Sequence, residues 1–166
     1  VRRHLKFINM KLSDFSHFIR EMPVQYQSFE VKRDQWQFGL RKDIIASIFE
    51  THDTISISRS DIFKTENDME RLIIMTLMWG YVYPSRGRGN NIKNLLNVEW
   101  GNLCSILPKY QKKEISIETM KKDIQGINGL GLSTMTKFTY FLGTKICGFE
   151  SLILDRVIIN TIKRSR

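Results

Sequence analysis

No stretch of this chain is apolar for long enough to cross a bilayer. The longest run, Leu72 to Trp79, contains Thr76 and falls far short of the roughly 20 residues a spanning helix needs. Cysteine is scarce: Cys104 and Cys147 show no CxxC spacing and lie far from any histidine cluster. That argues against a disulfide framework or a thiolate metal site, and reads as two buried thiols in a reducing cytoplasm. His4, His17 and His52 are isolated and lack metal-ligand spacing, so neither a metal nor a cofactor is expected. The opening Val1-Arg2-Arg3-His4 has charge but no apolar core behind it, unlike a signal peptide, and Val1 is compatible with a chain cut from something longer. There is no internal repeat and no low-complexity tract. With only 3 prolines and 42% hydrophobic residues, the 166 residues suit one globular domain, spanning 1–166 and monomeric, with a sizeable core.

Negative charge is sparse in the second half of the chain. Residues 1–83 carry 12 Lys/Arg against 11 Asp/Glu, a net of +1, whereas residues 84–166 carry 14 against 6, a net of +8. A basic region so concentrated suits a polyanion such as nucleic acid, although a solvated basic surface has the same composition.

Helical periodicity dominates what is present. Leu40, Ile44, Ile45, Ile48 and Phe49 form one apolar face. Thr65 or Asn67 can cap a helix whose first turn holds Asp68 and Glu70. This helix runs through Leu72, Ile73, Ile74 and Leu77 to Trp79, apolar almost all round and so expected at the centre of the core, with Gly80 at its end. Residues 81–91, rich in Gly, Asn and Arg around Pro84, read as a loop. Further helices are expected through Leu95 and Leu96, from Trp100 to Leu107 before Pro108, and from a Ser116 cap toward Gly126. Thr54 to Ser58 alternates, but with no convincing partner it reads as an extended connection rather than a strand. The fold class is therefore all-α, or mainly α with a minor short strand.

The most informative stretch is Ile127-Asn128-Gly129-Leu130-Gly131-Leu132-Ser133-Thr134, with a helix before it and Met135, Phe138 and Leu142 on the buried face of another after it. Two glycines two apart permit a tight reversal and leave backbone N–H groups uncovered, and the following helix N-terminus adds more. Together they can hold a phosphate, although an ordinary helix–helix turn needs nothing else. The stretch resembles the helix-hairpin-helix of DNA glycosylases, with Asn128 where a proline usually stands. Leu152-Ile153-Leu154-Asp155-Arg156-Val157 resembles the segment that carries that superfamily's catalytic aspartate. The hairpin element then covers about 116–143 and the aspartate segment 152–157. Upstream, Met78-Trp79-Gly80-Tyr81, the Arg86-Gly87-Arg88-Gly89 loop and Lys137-Phe138 are similar to prokaryotic proteins of the 8-oxoguanine glycosylase type.

The resemblance implies a DNA glycosylase that hydrolyses the N-glycosidic bond of a damaged or modified base, an 8-oxoguanine-type purine, in base excision repair or in defence against modified DNA, with double-stranded DNA as partner. It gives Asp155 the catalytic role. Ser133 falls at the hairpin position that is lysine in bifunctional members. From Ser133 to Asp155 is 22 residues, somewhat longer than usual, and an insertion around Gly143 to Glu150 would absorb the difference. A carboxylate beside the sugar can stabilise the cation that forms as the base departs. As a plain helix N-cap, Asp155 would need no such role. Lys137, one turn after Ser133, can contact a phosphate or attack the sugar carbon, or simply snorkel to the surface. A base must be flipped out to react, and Trp79, Tyr81 and Tyr83 are candidates for its pocket or for wedging open the stack, with a core role open to Trp79. Arg86 and Arg88 suit phosphate contact alongside Gly129 and Gly131. Two other readings stay open: a non-catalytic helix-hairpin-helix DNA-binding protein, and a protein-interaction module with a basic surface.

Overall fold

The computed structural model describes His17 and residues 21–37, 41–81, 90–155, 158 and 160. Arg86, Arg88, Tyr83 and Leu40 lie outside them. The architecture is mainly α-helical, with a few short strands.

Helix α1 (Lys42–Phe49) presents Ile45, Ile48 and Phe49 to the core, the face the periodicity implies. Strand β1 (Ser28–Lys32) pairs antiparallel with β2 (Thr54–Ser58), joining Phe29 to Ile57 and Val31 to Ile55. This overturns the reading of Thr54 to Ser58 as an extended connection. The missing partner was the alternation Phe29, Val31, whose inward residue Val31 is fully buried. Ser58 ends the strand and caps helix α2 (Arg59–Phe63) through a reciprocal capping box with Asp61.

Helix α3 (Met69–Gly80) is the central element, with every residue from Leu72 to Trp79 buried. Each fully buried Leu or Ile contributes about 1.5–3 kcal/mol relative to exposure. Its N-cap is Asp68 rather than Thr65 or Asn67. The Asp68 carboxylate accepts from the Arg71 N–H at 3.0 Å, whereas the Thr65 hydroxyl donates back to the Ile62 carbonyl at 2.7 Å. Helices α4 (Asn90–Asn97) and α5 (Trp100–Ile106) follow. The second ends one residue earlier than expected, because a 3-10 turn at Leu107–Tyr110 takes Pro108 in its opening positions, where a missing N–H is tolerated.

Helix α6 (Ile117–Gly126) starts at the expected Ser116 cap, and a short turn joins it to α7 (Leu132–Phe141). Met135, Phe138 and Leu142 are buried as the pattern requires. Beyond α7 the chain forms a small sheet in which β3 (Glu114–Ile115) runs parallel to β4 (Lys145–Ile146), and β4 pairs antiparallel with β5 (Phe149–Glu150). Cys147 (φ +50°) and Gly148 (φ +82°) form the two-residue turn between β4 and β5, the conformation a tight hairpin needs. Cys147 is thus exposed and Cys104 only half-buried, not the two buried thiols expected from scarcity alone.

Candidate active site

Lys137 sits in the middle of α7 with only 6% of its surface exposed, so its stem is not snorkelling to solvent. Its ammonium donates to the Ser133 hydroxyl at 2.9 Å and to the Ser133 carbonyl at 3.1 Å, one turn back. The four-residue spacing puts both groups on one helical face. The ring of Tyr81 lies 5.3 Å from the Lys137 Nζ, and its hydroxyl meets that of Thr134 at 2.5 Å. Burial pushes the Lys137 amine below the ordinary lysine range, and the negative charge of Asp155 pulls partly the other way.

The lysine's seat depends on the end of α3. A Cβ built on Gly80 would stand 2.7 Å from Cδ and 2.8 Å from Cε of Lys137. Any side chain at position 80 therefore displaces the lysine stem. In the sequence Gly80 reads as a helix terminator and as part of the Met78–Tyr81 resemblance, and neither shows its contact with Lys137.

Asp155 reaches the same place by way of the β4–β5 hairpin. The hairpin occupies the stretch whose length made the Ser133–Asp155 spacing long. Beyond it, the Ser151 N–H donates to the Thr144 carbonyl at 3.2 Å, and the Leu154 N–H donates to the Thr136 hydroxyl on α7 at 3.1 Å. The aspartate segment is thereby held alongside the lysine helix. The Asp155 carboxylate accepts from the Ile158 N–H at 2.8 Å, a capping contact that uses one of its oxygens.

Lys137 and Asp155 share an open cleft of about 360 Å³ with Gly80, Trp79, Phe29 and Arg59. Phe29 and Trp79 meet edge to face at 5.4 Å. Trp79 is 94% buried, and Phe141 packs on it at 5.6 Å, so it is core and cleft wall at once. Of the candidate residues, Lys137, Asp155 and Trp79 line the cleft, and Ser133 joins them only through its bonds to the Lys137 ammonium. Tyr81 stands behind the lysine and does not line the cleft. Arg59, Phe29 and Gln27, which also line it, carry no sequence signal beyond the strand alternation that includes Phe29.

Gly129 and Gly131 lie away from this cleft, in the α6–α7 turn, and they differ in kind. Gly129 has φ +89°, and a Cβ there would approach the Asn91 carbonyl oxygen to 3.1 Å. Gly131 has φ −101° and caps α7 without a side-chain bond, and a Cβ on it would meet nothing within 4 Å. Asn128, where the resembled pattern has proline, accepts at its carbonyl from the Asn94 amide at 2.6 Å. The turn thus packs on the start of α4. Among the described residues no three His, Cys, Asp or Glu side chains cluster as metal ligands would. No helix among them is long and apolar enough to cross a membrane.

The described residues form a mainly α-helical protein, and its class follows from its family. The chain belongs to the family described as "Putative 8-oxoguanine DNA glycosylase OGG-like protein", whose model matches residues 22–166. No curated protein and no solved structure matches it significantly. Its general activity is therefore of the DNA glycosylase type, and DNA is its partner.

Proposed function

We propose that this protein excises a damaged or modified base, an 8-oxoguanine-type purine, from double-stranded DNA after flipping it into the cleft, and so serves base excision repair. The α6–α7 pair would act as a helix-hairpin-helix, with the turn and the α7 N-terminus on a phosphate. The observation that carries the reading is a buried lysine amine and a carboxylate in one aromatic-walled cleft. Lys137 is then the nucleophile. Its amine bonds to the sugar C1′ as the C1′–N bond to the base breaks, and the bonding pair leaves with the base, which takes up a proton. The amine nitrogen loses a proton, its lone pair forms C1′=N as the C1′–O4′ bond breaks, and O4′ leaves with the bonding pair and takes up a proton, which opens the sugar ring to a protonated imine. Water cleaving that imine completes net hydrolysis, and β-elimination from it would give weak lyase activity. Asp155 stabilises the cationic sugar on the way. Desolvation favours the mechanism, because only the neutral amine can attack.

The test is borohydride trapping on a duplex with one 8-oxoguanine. The parent should release base and form a covalent complex. Lys137→Ala should form none, and Asp155→Asn should lose most base release while binding DNA as well or better. Base release by Lys137→Ala at the parental rate would remove the lysine from the mechanism, and normal release by Asp155→Asn would remove the aspartate.

A further inference from the structure

Arg59 opens α2 and lines the cleft that Lys137 and Asp155 share. It lies 5.1 Å from the Trp79 ring and 5.4 Å from the Tyr140 ring. One terminal nitrogen donates to the Tyr140 hydroxyl at 3.3 Å, the other to the Gln27 carbonyl oxygen Oε1 at 2.8 Å. No carboxylate among the described residues pairs with it. Each terminal nitrogen keeps a second hydrogen, so a fixed, uncompensated donor fork remains at the cleft wall. With one lone pair of Gln27 Oε1 engaged by Arg59, its amide NH2 stays free to donate. The Trp79 indole N–H is spent on the Gln27 backbone carbonyl at 3.3 Å. The free hydrogens of Arg59 and Gln27 make this wall predominantly a donor.

We infer that Arg59, held by Gln27, Tyr140 and Trp79, reads a carbonyl oxygen of the flipped base and so selects keto bases. An adenine-type edge presents an amino donor to the same wall and leaves both partners unsatisfied, whereas a guanine-type edge presents an acceptor. The inference rests on the glycosylase reading for the presence of a flipped base, but not on any catalytic step.

A structural tie between β1, α3 and α7 would make the same contacts, so the test must separate reading from holding. Affinities are measured for three duplexes, bearing at one position 8-oxoguanine, a mismatched adenine, or an abasic-site analogue. The proteins are the parent, Arg59→Met, which keeps the stem on Trp79, and Arg59→Lys, which keeps the charge. The parent should prefer the 8-oxoguanine duplex. Arg59→Met should bind that duplex about tenfold to a hundredfold more weakly, a loss typical of a charged hydrogen bond, and the abasic duplex as the parent does. Arg59→Lys should recover only part of the preference, because an ammonium cannot reproduce the fork. Equal weakening on all three duplexes, unchanged binding on all three, or a parent without preference would each overturn the inference. Base release followed in the same samples reports on the glycosylase reading separately: a protein that keeps an Arg59-dependent preference yet releases nothing is a lesion reader without chemistry.

Discussion

At the scale of single residues, the site turns on one amine whose environment opposes its charge. Removing Lys137 from water costs the ammonium far more than the neutral amine, while Asp155 returns part of the loss. The sign of the pH dependence follows. Trapping by the parent should rise with pH along a limb set by Lys137, starting below the range of an ordinary lysine, since the reactive form is the deprotonated one. Asp155→Asn deletes the negative charge that raises this pKa, so its residual trapping should reach half-maximum at lower pH than the parent's. Single-turnover trapping across pH measures both limbs. A limb that moves up in Asp155→Asn would contradict the electrostatics. The pairing of Ser133 with Lys137 was legible from a four-residue spacing. The depth of the lysine was not, because burial depends on Gly80, a residue 57 positions away whose missing Cβ leaves the space.

At the scale of elements, the α6–α7 turn holds two glycines that look alike in sequence and behave differently in the fold. Gly129→Ala places a Cβ at positive φ and against the Asn91 backbone, so stability should drop by about 1–3 kcal/mol. Gly131→Ser costs no strain and supplies the cap that α7 lacks, so its melting temperature should match or exceed the parent's. Its DNA affinity should nonetheless fall, because the new hydroxyl takes an N–H of the first turn that a phosphate would otherwise use. Thermal melts paired with binding curves check both. Undiminished affinity in a folded Gly131→Ser would make the turn a mere connector. Helix positions were legible because burial imposes a period on Leu72 to Trp79 and on Met135, Phe138 and Leu142. The β4–β5 hairpin was not, because strands of two residues, Lys145–Ile146 and Phe149–Glu150, are too short to show alternation and depend on β3, some 30 residues upstream.

At the scale of the whole molecule, the cleft draws on both halves of a chain whose charge is lopsided. Gln27, Phe29, Arg59 and Trp79 come from the nearly neutral half, Lys137 and Asp155 from the half that carries a net of +8. This division suggests that the first half supplies the base's surroundings and the second grips the backbone. Grip by phosphate contact has a thermodynamic signature: each neutralised phosphate releases counterions, and the logarithm of affinity falls with the logarithm of salt by about 0.9 per contact on duplex DNA. Replacing Arg86 and Arg88 together by Ala should shallow that slope by up to about two units if each meets one phosphate. Replacing Lys32 and Lys42, two exposed cations of the neutral half, removes the same charge and should leave the slope close to the parent's. The comparison isolates position from net charge, because both double variants lower the charge equally. Titrations of an undamaged duplex at several salt concentrations measure all three slopes. A parental slope near zero would remove phosphate contact from the account. Equal shallowing by the two double variants would mean that DNA senses only the total charge of the protein, and that its basic half has no fixed seat on the backbone.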